Sequence, residues 1–151
     1  MINFDRITRN IFVGTYPQSP VDIDRLRDGP RITAVVNLQS DTDMKALGVN
    51  WKKLARHYAK REITVYRHPI RDFDPVDLTG RVKAAVAQVG DLEAVGHSIY
   101  IHCTAGVGRA PAVAIGHLAW NLGWNLEEAY EFVRERRACD PYIDAIRDAQ
   151  Q

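Results

Sequence analysis

The chain has 151 residues, 46% hydrophobic and 26% charged, a size and balance that suit one domain, residues 1–151, with a core of its own. Lys and Arg total 20 against 19 Asp and Glu, a formal charge of +1, so no global field argues for nucleic acid or a membrane surface, and no apolar run reaches membrane-spanning length. Two cysteines, Cys103 and Cys139, do not make a disulfide framework, and Met-Ile-Asn-Phe-Asp-Arg lacks a signal-peptide pattern, so the expected location is cytoplasmic, or plastid if a transit peptide was removed.

Residues Ile2–Val13 read as one or two short strands closed by Gly14. After a two-proline loop, Pro20-Val-Asp-Ile-Asp-Arg-Leu starts a short helix with Ser19 as N-cap and Val21, Ile23 and Leu26 facing inward; Gly29-Pro30 stops it. Ile32–Leu38 is a β-branched run of the kind that forms a buried central strand. Gln39–Asn50 is polar and reads as a loop with a turn of helix, Trp51–Lys60 as a helix, and Ile63–Arg67 as a strand. His68–Asp77 is a loop, with Asp77 as N-cap of an amphipathic helix that carries Leu78, Val82, Ala85, Val86, Val89 and Leu92 to about Val95. Ser98–His102 is a strand and Ala110–Leu122 a buried helix. Asn125 caps a helix through Arg136, and Pro141–Ala149 forms a last one. Strands alternating with helices, then a helical carboxyl-terminal third, predict an α/β sandwich with a short sheet.

The chemistry concentrates in His102-Cys-Thr-Ala-Gly-Val-Gly-Arg109. A thiol attacks only when ionised, and a helix N-terminus with a nearby cation favours the thiolate. Glycines at 106 and 108 allow positive φ, so the N–H groups of Thr104, Ala105, Gly106, Val107 and Gly108 can converge on one anion. Arg109 can pair with two phosphate oxygens. A buried core cysteine beside a glycine turn explains a lone Cys, but not this spacing between a strand and a helix. The five histidines and two cysteines show no paired zinc-ligand spacing, and the Gly-Lys-Ser/Thr of a nucleotide-binding loop is absent, so neither metal nor cofactor is expected. Attack on a phosphate ester also needs an acid for the leaving oxygen. Asp72, Asp74 and Asp77 are available; with Asp77 read as a cap, composition leaves Asp72 and Asp74 open. His102 is read as an internal residue that holds loop backbone rather than as a base.

The loop is identified as a signature of cysteine-dependent dual-specificity phosphatases, and Cys-Thr-Ala-Gly-Val-Gly-Arg-Ala-Pro111 resembles the glucan phosphatases of the laforin and plant starch-excess type. Ile11–Gly14 through Leu26, Ile70-Arg-Asp-Phe-Asp74, Asp77-Leu78 and Asp144–Arg147 are also similar to starch-excess sequences. The resemblance implies a short mixed sheet between helices, Cys103 as nucleophile, Arg109 as phosphate ligand and Asp72 as general acid. It further implies a glucan contact at Phe73, and Phe4 matches an aromatic position of the family; Tyr16 is a third candidate contact, one that could compensate for missing platform aromatics. The chain departs from these relatives at Lys45-Ala46-Leu47, where they carry paired aromatics, and at Asp140, where they carry Phe; Trp51 and Tyr142 are available to compensate. Ala110 replaces the Ser or Thr of many dual-specificity phosphatases, which implies slower breakdown of a phosphocysteine. The expectation is a metal-independent phosphomonoester hydrolase acting as a monomer on phosphorylated glucan. The alternatives are a protein phosphatase for phosphotyrosine or phosphothreonine, and a catalytically weak phosphate- or glucan-binding module.

Overall fold

The computed structural model describes residues 1–150. Five strands form one sheet: β1 (Phe4–Thr8), β2 (Ile11–Gly14), β3 (Ala34–Asn37), β4 (Thr64–Arg67) and β5 (Ile99–His102). Their order is β1-β2-β5-β3-β4, with β1 antiparallel to β2 and the other pairings parallel. The helices are α1 (Pro20–Asp28), α2 (Asp41–Ala46), α3 (Trp51–Lys60), α4 (Pro75–Ala94), α5 (Arg109–Gly116), α6 (Leu126–Arg136) and α7 (Ile143–Ala149). The expected mixed sheet between helices is thus present. Among the described residues no helix is long and apolar enough to cross a membrane.

The central strands are apolar on both faces because both faces are covered. Ile11, Val13, Ala34, Val36, Ile99 and Ile101 point to one side, into a core shared with α4, α5, α6 and α7. Phe12, Val35 and Tyr100, the alternate positions, point to the other side with Ile23, Leu26, Leu54 and Tyr58 of α1 and α3. The parallel register brings Gly14, His102 and Asn37 level at the carboxyl ends of β2, β5 and β3. The chain leaves all three strands there, which opens a crevice at that edge of the sheet.

Four local expectations change. Val21 is exposed, because α1 turns only Asp22, Ile23 and Leu26 inward. Gln39–Asn50 contains a full helix, α2, held by a capping box in which Ser40 and Asp43 each bond the other's backbone N–H. The N-cap of α4 is Asp74 rather than Asp77. Pro75 supplies the first helical φ and needs no N–H partner, so the helix begins one turn earlier. The predicted Ala110–Leu122 helix is α5 followed by a π-helical turn, His117–Asn121. In that wider turn Asn121 Nδ2 donates to Val86 O of α4 at 2.9 Å.

Gly14 sits where β2 meets both β1 and the loop after β5. A Cβ there would lie 2.3 Å from Asn3 O and 2.5 Å from Phe4 Cβ and from the Tyr100 hydroxyl. Gly14→Ala is therefore expected to destabilise the chain by about 1–3 kcal/mol through overpacking, measured as a lower denaturation midpoint; an unchanged midpoint would show that β1 yields freely.

Candidate active site

At the crevice the chain leaves β5 at His102, turns through residues 103–108 and enters α5 at Arg109. Cys103 is 2% exposed, at the floor of a cavity of about 310 Å³. The carbonyls of the turn are held by partners from outside it. The Cys103 carbonyl accepts from His102 Nδ1 at 3.0 Å, that of Thr104 from Tyr16 N–H at 3.1 Å, and that of Val107 from Asp140 N–H at 2.9 Å. The Ala105 and Gly106 carbonyls accept from Arg137, at Nη2 (3.1 Å) and Nε (2.7 Å). With each of these carbonyls drawn outward, the N–H groups of Thr104 to Gly108 have no acceptor among the described residues. Such a run of free N–H groups is an anion-binding nest, closed by the start of α5.

The two glycines contribute differently. Gly106 has φ +68, and a Cβ there would lie 2.6–2.7 Å from Gly14 backbone and Arg137 Nη2. Gly108 has φ −115 with open space around it, so the expected positive φ applies only to Gly106. What Gly108 provides is an unobstructed approach for a ligand at the first turn of α5.

Arg109 is 4% exposed and divides its donors between protein and cavity. Nη1 donates to Asp43 Oδ2 at 2.6 Å and Ile70 O at 2.7 Å. Nη2 lies 3.4 Å from Thr104 Oγ1 and 3.3 Å from Asp72 Oδ2, and Nε is buried without a partner. A buried guanidinium donor left unpaired is costly unless a ligand completes it. Asp43 is itself held by Ser40 N–H at 2.9 Å. Burial pushes its carboxyl up, but the hydrogen bonds from Arg109 and Ser40 outweigh this and hold it below the usual carboxylate range.

The three upstream acids occupy distinct places. Asp77 accepts Arg71 N–H at 2.8 Å and Arg81 Nε at 2.9 Å; the first of these bonds is the main cause that lowers its carboxyl. Asp74 accepts Asp77 N–H at 3.0 Å as the cap of α4. Asp72 lines the cavity, with Oδ1 accepting Phe73 N–H at 3.1 Å and Oδ2 towards Arg109. Phe73 also lines it, 83% exposed and at φ +55, a strained conformation for a non-glycine residue. Phe4 does not reach the cavity; its ring packs edge-on against Phe12 and Tyr100, at 6.1 and 6.0 Å between centroids. Tyr16 bonds the loop through its backbone N–H and is not a lining residue. Tyr142 and Asp140 form part of the far wall. Among the described residues no group of three or more His, Cys, Asp and Glu is placed to hold a metal ion.

Two residues that sequence reasoning did not single out complete the site. Asp43 carried a usable signal, the Ser40-x-x-Asp43 box, though that signal marks a helix start rather than an arginine partner. Arg137 carried none: its other partners, Asn3 Oδ1 at 3.0 Å and Asp5 Oδ2 at 2.9 Å, lie more than 130 residues away.

His102 is fully buried and bonded to the loop, as expected of a holding residue. Burial first, then the Arg109 and Arg67 charges, push its pKa down to about 4, against the opposing bond to Cys103 O. It is neutral near pH 7, with Nδ1–H donating. The unfolded chain protonates first on acidification, so the stabilisation is fully present above about pH 6.5 and is lost as pH falls through about 4. Unfolding free energy is expected to drop by up to about 3 kcal/mol across that window on this account. His102→Asn should flatten the slope, and equal slopes for the two proteins would refute it.

Comparison with known proteins agrees with this geometry. The family described as dual specificity phosphatase, catalytic domain, matches residues 11–143. The phosphoglucan phosphatase DSP4, amyloplastic, of Castanea sativa is 38% identical over 98% of this chain and 40% of its own length. Laforin of Mus musculus is 29% identical over 99% of this chain and 49% of its own. The chain thus spans less than half the length of these relatives. The structure of Tk-PTP in its active form superposes with a TM-score of 0.75 at 21% identity, covering 97% of this chain and 92% of that one, which shows the same fold.

Proposed function

The chain belongs to the dual specificity phosphatase family, and from that premise we propose that residues 1–151 form a catalytic domain that hydrolyses phosphomonoesters of glucan. The observation that carries the chemistry is the loop with its N–H groups free and its carbonyls withdrawn, set over a buried cysteine beside an arginine with an unpaired Nε. The substrate class is supported by the likeness to phosphoglucan phosphatases along nearly the whole chain. The amyloplastic location in the Castanea sativa name supports a starch-like polymer and a plastid compartment.

In this reading the loop N–H groups and Arg109, through Nε and Nη2, bind the phosphate dianion. Nη1 remains with Asp43 and Ile70, so the guanidinium keeps its orientation throughout. The phosphate draws Nη2 away from Asp72 Oδ2 and frees that oxygen to carry a proton. The Cys103 thiolate attacks phosphorus in line, the bond from phosphorus to the sugar oxygen breaks, and Asp72 protonates the departing oxygen. Asp72 then takes a proton from water, whose oxygen attacks phosphorus; the P–S bond breaks, the thiolate returns and inorganic phosphate leaves. Neutral His102 neither gives nor takes a proton and keeps the loop turned. Phe73 offers a ring to a sugar face at the mouth.

The test is phosphate release from solubilised amylopectin and from a phosphotyrosine peptide, with Cys103→Ser as blank. Turnover of the glucan is expected; turnover of the peptide alone would favour the protein-phosphatase reading. Asp72→Asn should lower kcat on glucan by about 10²–10⁴. Asp74→Asn should act mainly on the α4 cap, with an effect of no more than about 1 kcal/mol on stability. Equal kcat losses in the two variants would refute the assignment of the acid.

A further inference from the structure

One carboxylate at the mouth of the cavity has no part in the chemistry above. Asp140 follows α6, and the bond from its backbone N–H to Val107 O ties its position to the phosphate-holding loop. Its side chain is exposed and has no hydrogen-bond or ion-pair partner among the described residues. Asp72, by contrast, faces Arg109, and Asp74 caps α4.

Asp140 and Tyr142 line both the catalytic cavity and an adjoining groove of about 520 Å³ that runs between the amino-terminal ends of α4 and α7. Any substrate larger than the phosphate and its own sugar, leaving the cavity in this direction, must pass Asp140. Beyond it the groove presents Val76, Tyr130 and Tyr142 together with Asp148 and with Asp144, whose carboxylate is paired with Arg147, and its lining contains no Lys or Arg. The cations that line the cavity, Arg71 and Arg109, are not among the groove's lining, and Arg109 is engaged with Asp43 and Asp72. A second phosphate or carboxylate carried into the groove would therefore meet the unpaired Asp140 carboxylate with no Lys or Arg in the lining to receive it. An uncharged polyhydroxyl would be accepted, since its O–H groups donate to carboxylates and its C–H faces lie on aliphatic and aromatic side chains.

We propose that Asp140 determines substrate class. It accepts hydroxyls of the glucosyl residue that flanks the phosphorylated one, and it repels substrates with a second anionic group at that place. This rests on the glucan reading above and assigns to it a residue that selects the neighbour of the reacting sugar.

The test compares the wild-type chain, Asp140→Asn and Asp140→Ala on solubilised amylopectin, on a soluble inositol bisphosphate and on a phosphotyrosine peptide with flanking arginines. Equal thermal midpoints confirm that the exposed substitutions leave the fold intact. Asp140→Asn keeps an acceptor oxygen and loses the charge. It should raise kcat/KM for the bisphosphate about tenfold and lower the glucan value no more than about threefold. Asp140→Ala loses both properties and should also lower the glucan value about tenfold. Unchanged values in an enzyme that does release phosphate from glucan would overturn the assignment of Asp140 while leaving the glucan reading in place. A wild-type chain that releases none would instead overturn the glucan reading itself. If Asp140→Asn costs the arginine-flanked peptide more than the glucan, the neighbour recognised is a basic peptide and the proposal fails.

Discussion

The constraint on which the site depends is the outside hydrogen bonding of every carbonyl from Cys103 to Val107. Five consecutive N–H groups without a protein acceptor are unfavourable without a ligand, and a short loop would otherwise rotate some of them towards its own carbonyls. Here rotation would break a bond to something outside the loop. Tyr16 comes from the segment after β2, Asp140 from the segment after α6, Arg137 from the end of α6 and His102 from β5 itself. The anchors come from three separate parts of the chain, β5, the segment after β2 and the segment that ends α6, so the loop is held only when the sheet and its helical cover are in place. Preorganisation of this kind is what lets fixed dipoles stabilise an incoming charge without rearrangement.

A similar division governs Arg109. A free arginine side chain presents its donors to any anion in many orientations, at a cost in rotamer entropy on each binding event. In this chain Nη1 is committed to Asp43 and Ile70, which settles the plane of the guanidinium, with Nη2 towards Asp72 of the cavity and Nε unpaired. Asp43 can serve because α2 begins with a capping box that holds its carboxylate from behind. A six-residue helix that buries only Met44 gains little from packing, and its contribution to the site is to set one carboxylate.

The parts legible in the sequence are those whose causes are local. The central strand announced itself as a β-branched run, and the cysteine, the N–H run and the arginine lie within seven consecutive positions. The α4 start was misplaced by one turn because Asp74-Pro75 and Asp77 both satisfy helix-start rules, and only the fold shows Asp77 spent on Arg71 N–H. Composition left Asp72 and Asp74 level for the same reason: each is an acid on one loop, and which one caps a helix is decided by backbone geometry. Asp43 and Arg137 act on partners that are distant in sequence, and no periodicity records such a pairing. Phe4 shows the opposite case, an aromatic in a plausible place whose ring is taken up by Phe12 and Tyr100 in the core.

The Arg137 fork links the span of the family match to residues that precede it. The family match begins at residue 11, yet Arg137 Nη1 is shared between Asn3 and Asp5, and Asn3 also exchanges hydrogen bonds with Thr15 beside the loop. The first strand is thus a brace for the reaction centre rather than an ornament on the sheet edge. An excised domain trimmed to the boundary of the family match would retain every residue assigned to chemistry and still lose the tension that keeps the Ala105 and Gly106 carbonyls turned away. In a chain built this way, the practical limit of the unit is set by the outermost atom that restrains the loop, not by the bounds of the family match.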